Sequence, residues 1–110
     1  LRRAGKIDKT QHAIVGEFRK YSGVKVCVTS HIGDGFPDLI VRIDGTIYLV
    51  ELKSSPKKTL TQNQIDFIMM FGGKFYRLDG PQHVQAFVTW NEVSRWASYG
   101  INIGQEGING

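Results

Sequence analysis

The sequence predicts a single α/β domain, ordered α-β-β-β-α-β-α, with a central mixed sheet flanked by helices. Three observations predict it. The chain has 110 residues, enough for one modest core and short of two domains. An Asp44-Gly45 pair stands between two β-branched runs, a strong hairpin signal. Apolar spacing changes along the chain from a helical repeat to strict alternation and back.

Residues 1–9 are polar without periodicity and read as a loose arm. From Thr10 to Ser22 the positions Ala13, Ile14, Phe18 and Tyr21 recur at helical spacing, with Thr10 as N-cap and Gly23 at the stop. Residues 24–30 alternate, with Val24, Val26 and Val28 on one face, as in a strand. A glycine-bearing loop, 31–36, precedes the hairpin strands 37–43 and 46–53. Both carry apolar residues on both faces, so the hairpin should be central and covered on each side. After the basic loop 54–60, Thr61 to Phe71 forms a helix capped by Thr61, with Leu60 stapling onto Ile65 and Gly72-Gly73 stopping it. Residues 74–78 form a strand. Pro81 opens a helical segment over about 81–99, in which 84–90 fits helix or strand equally and Asn91 caps a last helix through Tyr99. The glycine-rich tail frays.

Composition narrows the function classes. One cysteine, Cys27, excludes an internal disulfide framework and a multi-cysteine metal site. The longest apolar stretches fall far below the ~20 residues of a membrane span, and the start lacks the apolar run of a signal peptide, so a cytoplasmic protein is expected. The net charge of +4 is uneven: residues 1–25 hold seven Lys or Arg against two acids. A basic leading third fits a polyanion partner or a solvated basic face.

The hairpin turn sets a register. With Asp44 and Gly45 as turn residues, Ile43 pairs with Thr46, and Asp38 falls opposite Glu51, their Cβ atoms about 4.5–5.5 Å apart. Glu51 and Lys53 share a face. Two carboxylates so close repel unless a positive charge intervenes. Either the three residues form a cross-strand salt bridge at a sheet end, or Lys53 and a divalent cation complete a site for phosphodiester chemistry. Glu17 falls at or beside the first helix's apolar stripe, and an inward-facing carboxylate needs a partner. Gln64 completes a Thr61-x-x-Gln64 capping box or contacts water, phosphate or lysine.

The stretch 35–64 reads Gly-x-Pro-Asp-Leu, Glu-x-Lys thirteen residues after the Asp, and Leu60-Thr61-x-x-Gln64, with Gly72-Gly73 following. It resembles the virus-type replication-repair nuclease (VRR-NUC) family of the PD-(D/E)XK nuclease superfamily, over about residues 10–78. The resemblance implies an α-β-β-β-α-β restriction-endonuclease-like core and a metal-dependent nuclease. It implies metal ligation by Asp38, Glu51 and the carbonyl of Leu52, with Mg²⁺ or Mn²⁺ as the ion. Lys53 matches the catalytic lysine, Glu17 the first-helix acid at the metal, Gln64 the family glutamine and Phe67 an aromatic position.

Lys57 and Lys58 border this site and are expected to hold DNA phosphates, as are Arg2, Arg3, Lys6, Lys9 and Arg19. Asp34 is a candidate supporting acid. Few base-reading features are visible, so structure-selective cleavage of branched DNA, such as a four-way (Holliday) junction, is expected. Stand-alone chains of this kind suggest a symmetric homodimer, with two identical sites cutting opposing strands. Its candidate surfaces are Phe67, Met70 and Phe71, and the C-terminal third with Trp90, Trp96 and Tyr99; the alternative is that these close the core. Phe67, Met69 and Phe71 otherwise read as core. Two rivals remain: a sequence-specific restriction-type endonuclease, and a non-catalytic nucleic-acid-binding module on the same scaffold.

Overall fold

The computed structural model describes residues 4–55 and 57–101, and side chains from residue 9 onward. The elements are α1 (Ala4–Phe18), β1 (Val24–Val28), β2 (Leu39–Ile43), β3 (Thr46–Leu52), α2 (Gln62–Phe71), β4 (Phe75–Leu78), a 3₁₀ turn (Pro81–His83), α3 (Val84–Thr89) and α4 (Glu92–Tyr99). The sheet order is β1-β2-β3-β4. β1, β2 and β3 are antiparallel neighbours, and β4 joins β3 in parallel, so the sheet is mixed.

The hairpin register is the expected one: Ile43 pairs with Thr46 and Leu39 with Val50. Asp44 and Gly45 both adopt positive φ, +48° and +88°. Those values fit a type I′ turn, whose twist matches that of the flanking strands.

The two faces of the sheet are covered unequally. One carries a large apolar cluster: Ile14, Val15 and Phe18 of α1 pack on Leu39, Val41, Ile43, Tyr48 and Val50, with Val84 and Phe87 of α3. On the other, among the described residues, Leu49, Ile68 and Phe75 alone are buried together, under α2 with Ile65 and Phe67 at the margin. Asp38, Ile40, Leu49 and Glu51 share this thinner face by strand alternation.

Several boundaries differ from expectation. α1 begins at Ala4 and ends at Phe18, so Thr10 lies inside the helix rather than capping it, and Lys6 and Lys9 ride on a helix rather than a loose arm. Good helix formers such as Ala4 and Lys6 propagate a helix without an apolar pattern to announce it. The chain then turns: Lys20 N–H donates to the Glu17 carbonyl and Tyr21 N–H to that of Phe18, before Gly23 at φ +83°. Among the described side chains of α1 the buried ones are Ile14, Val15 and Phe18, whereas Ala13 is exposed. α2 has the full capping box: Thr61 Oγ1 accepts from Gln64 N–H, and Gln64 Oε1 accepts from Thr61 N–H. Residues 84–89 are helical, and Asn91 caps α4 through Ser94 N–H. Met69, Met70 and Phe71 are exposed rather than core, because α2 is the last layer on its side.

Candidate active site

Asp38 is fixed by the chain that precedes it. Pro37 is fully buried, its carbonyl accepts from Thr29 Oγ1, and the Asp38 carbonyl accepts from Thr29 N–H. The Asp38 carboxylate then reaches across the end of the hairpin, where Oδ2 accepts from Leu52 N–H at 3.0 Å. Glu51, the penultimate residue of β3, is only 3 % exposed. Its Oε2 accepts from Gln64 Nε2 at 2.6 Å and lies 3.7 Å from Lys53 Nζ. Its Oε1 is buried and has no hydrogen-bond partner.

Gln64 serves both of the roles its position allowed. Its oxygen closes the capping box and its nitrogen holds Glu51. One amide therefore ties the start of α2 to the carboxylate beneath it. The loop before β2 is locked to the same helix end: Gly35, at φ +81°, lies so close to the Asn63 backbone that a Cβ there would strike the Asn63 carbonyl.

Burial is the main cause that raises the Asp38 carboxyl above the ordinary aspartate range. It also pushes Glu51 up to about 8, and the charge of Asp38 pushes in the same direction against the ammonium of Lys53. Two carboxyls pressed together away from water hold a proton between them unless a cation replaces it.

These residues stand beside an open cleft of about 460 Å³ lined by Thr10, Gln11, Asp38, Leu52, Lys53, Ser54 and Lys58. Sealed Glu51 Oε1, the Asp38 carboxylate and the Leu52 main chain make a set of hard oxygens that fits a divalent cation, which binds through one or two carboxylates and completes its shell with water and phosphate. Among the described residues no three His, Cys, Asp or Glu side chains cluster, so the protein's share of such a site is this carboxylate pair.

The structure brings together Asp38, Glu51, Leu52, Lys53 and Gln64, with Lys58 on the cleft wall and the exposed Lys57 beside it. It does not bring Glu17. Thr10 and Gln11 face the cleft, and Glu17 lies six residues further along α1, a rise of about 9 Å and a turn of about 240°. Its carboxylate pairs instead with Lys20 at 2.8 Å in a half-exposed bridge. Arg19 is exposed at the same far end of α1, which lies toward the hairpin turn, where Gly23 neighbours Asp44. That turn is about 20 Å along the strands from Asp38. Lys9 is exposed near the cleft end of the helix, and Arg2 and Arg3 lie outside the described residues. Asp34 is exposed beside α2 in a shallow apolar groove with Phe67 and Met70, not at the cleft.

Two residues escaped the sequence reading. Gln11 lies three residues before Ile14 and four before Val15, so it continues the line of buried residues on α1 while being itself half-buried; a polar residue on that line was the available signal. Arg77 is paired with Glu51 in the parallel register, donates to the Ser55 carbonyl at 2.9 Å and to Asp79 at 3.0 Å, and so ties down the loop after Lys53. Nothing local announces it, because its position depends on the β3–β4 pairing.

No family model matches the sequence, and no curated protein matches it. A solved structure described as a VRR_NUC domain superposes with a TM-score of 0.58 at 21% identity, over 76% of this chain and 95% of that chain. The chain thus has an α/β restriction-endonuclease-like core. Within that class its fold is similar to that of the VRR_NUC domain structure.

Proposed function

We propose that this chain is a divalent-metal-dependent DNA endonuclease of the VRR-NUC kind, hydrolysing phosphodiester bonds. The observation that carries the reading is the buried Glu51 carboxylate, with one oxygen unpartnered, set against Asp38 and Lys53 at an open cleft on a VRR_NUC fold. A purely structural salt bridge would satisfy both oxygens and would not place two carboxylates together.

Asp38, Glu51 and the Leu52 carbonyl hold Mg²⁺ or Mn²⁺, which when bound neutralises the charge that builds on the phosphate. Lys53 orients the attacking water and donates to the scissile phosphate. Water adds to phosphorus, the bond to the leaving oxygen breaks, and that oxygen takes up a proton. Gln64 acts on Glu51, holding the carboxylate in its rotamer. Lys57 and Lys58 hold the DNA backbone. Contacts of this kind carry little sequence information, which favours selection by DNA shape over sequence-specific cutting.

The preferred substrate in this reading is branched DNA, a four-way junction in particular, cut by a two-fold dimer. The exposed end of α2 supports it: Met70 is 88 % and Phe71 61 % exposed, contiguous with Phe67 and Phe36. Tyr99, by contrast, lies against Phe87 at the edge of the core, while Trp96 packs on Tyr76 and, like Trp90, stays 40 % exposed.

The test is a panel of labelled duplex, flap, splayed-arm and four-way DNA with Mg²⁺, Mn²⁺ or EDTA. Cleavage is expected only with the ion, and at symmetry-related positions on opposing strands of the junction. Cleavage undiminished in EDTA would refute the metal role. Light scattering that gives a monomer at micromolar concentration would remove the dimer and leave the nuclease.

A further inference from the structure

We propose that Gln11 is a positioning residue of this cleft, whose side-chain carbonyl accepts a hydrogen bond from the water shell of the cation held by Asp38 and Glu51. The proposal deepens the metal-nuclease reading above and rests on it. Gln11 sits on the line of α1 that elsewhere carries Ile14, Val15 and Phe18, all buried in the main core. The side chain as a whole is half-buried, and a carbonyl oxygen sealed from water is costly unless it finds a partner. Its Oε1 has none: it is shut off from solvent and accepts no hydrogen bond.

Among the described residues, the buried side-chain oxygens left without a partner are Gln11 Oε1 and Glu51 Oε1. Gln11 lines the same cleft as Asp38, the neighbour of Glu51, while Lys53 and Lys58 stand on its other wall. With Glu51 ionised, as a bound cation requires, both orphaned oxygens are acceptors. Acceptors gathered from two separate elements match a cation or its water, and not a phosphate, whose own oxygens are acceptors. The divalent cations of phosphodiester chemistry keep several waters when held by one or two carboxylates. A fixed carbonyl beside that shell orients it, the part that groups around a metal's direct ligands commonly play. α1 therefore contributes an amide to the site, and the amide stands six residues before the glutamate that the sequence had nominated.

The experiment measures Mn²⁺ binding to the DNA-free full chain, by calorimetry and by the electron paramagnetic resonance of free ion, alongside a thermal melt. Asp38→Asn is expected to abolish binding. Gln11→Leu should weaken it by about 10- to 100-fold while the protein still melts cooperatively. Gln11→Glu, which keeps the oxygen and adds charge, should tighten it. If Asp38→Asn loses the ion and Gln11→Leu binds it within about twofold of wild type, Gln11 has no part in the shell and the metal site stands without it. Should Gln11→Leu not fold, unchanged or weaker binding by Gln11→Glu overturns the proposal. Asp38→Asn binding like wild type would overturn both the metal reading and this one.

Discussion

Arg95 and Glu51 are the two charged side chains buried most deeply among the described residues, at 5 % and 3 % exposed, and the fold treats them in opposite ways. Arg95 donates to the carbonyls of Phe87, Val88 and Trp90 and to Tyr48 Oη. Its guanidinium also lies 5.0 Å from the Tyr48 ring centre and 5.2 Å from that of Phe87. Those carbonyls belong to the end of α3 and to Trp90 just beyond it, where helical acceptors lack partners and a cation is favoured. Every demand of that buried charge is met from within the chain. Glu51 has one amide, one lysine at 3.7 Å, a like-charged neighbour and an empty oxygen. A fold that satisfies one buried charge so fully does not leave the other unsatisfied for want of means. Arg95 is there for stability, whereas Glu51 is held at a cost in stability that the proposed cation would offset.

The comparison breaks if the two residues exchange consequences on substitution. Asp38→Ala or Glu51→Ala should lower the cleavage rate by three orders of magnitude or more, roughly the several kcal/mol a positioned cation supplies. DNA binding should hold or tighten, since a charge that repels phosphate is gone. Lys53→Ala should cost several powers of ten in rate, with a smaller effect on metal affinity. Arg95→Ala should do the reverse. It leaves several buried acceptors unpaired and should destabilise by about 3 kcal/mol or more, while cleavage per folded molecule is unchanged. Urea titrations read beside single-turnover rates separate the outcomes; wild-type cleavage by Glu51→Ala would end the assignment.

A pH titration sharpens the same contrast. In the folded, metal-free protein the Glu51 carboxyl is raised to about 8 by burial and by Asp38, from an ordinary value of 4.5. Between those values the folded chain keeps a proton that the unfolded chain has released. Stability in EDTA therefore falls as pH rises from about 4.5 through about 8, with a slope of up to about 1.4 kcal/mol per unit for one proton. Asp38 is raised as well and contributes with the same sign at the low end. Glu51→Gln should flatten the curve, and Mg²⁺ should restore stability at the high end while releasing protons. A metal-free stability that climbs from pH 5 to 8 would mean that the carboxylates are satisfied as they stand.

How much of this was legible in the sequence follows from the range of the interactions. The Asp44-Gly45 turn fixes a register by local chemistry, so Asp38 opposite Glu51, with Lys53 on the same face, could be counted out from the chain. The capping box of Gln64 is equally local. Its second bond, to Glu51 thirteen residues away, depends on how α2 lies over the sheet, and no spacing announces that. The first helix shows the limit most plainly. A stripe drawn through Ala13, Ile14 and Phe18 draws Glu17 toward the core, whereas the positions actually buried are Ile14, Val15 and Phe18, and the half-buried Gln11 lies on their line. A shift of one position in phase turns the helix by about 100° and exchanges one polar residue for another. Arg95 gave no local signal either, because its partners are the end of a neighbouring helix and a tyrosine 47 residues away.

Smaller effects belong to charges outside the cleft. Lys57→Ala with Lys58→Ala should weaken DNA binding and reduce the slope of log K against log salt by up to about two phosphate contacts, without changing the rate at saturation. An unchanged slope would remove both from the DNA surface. Glu17→Ala should do least of all. Its pair with Lys20 is exposed and three residues apart on the end of a helix, an arrangement worth a few tenths of a kcal/mol in general. It stands about two turns of α1 from the cleft and on another side of the helix, so neither ion nor phosphate loses a contact. Cleavage rate, Mn²⁺ affinity and melting temperature should all stay near wild type. A loss of rate by tenfold or more would place an α1 carboxylate back among the metal ligands and would require the helix to roll when DNA binds.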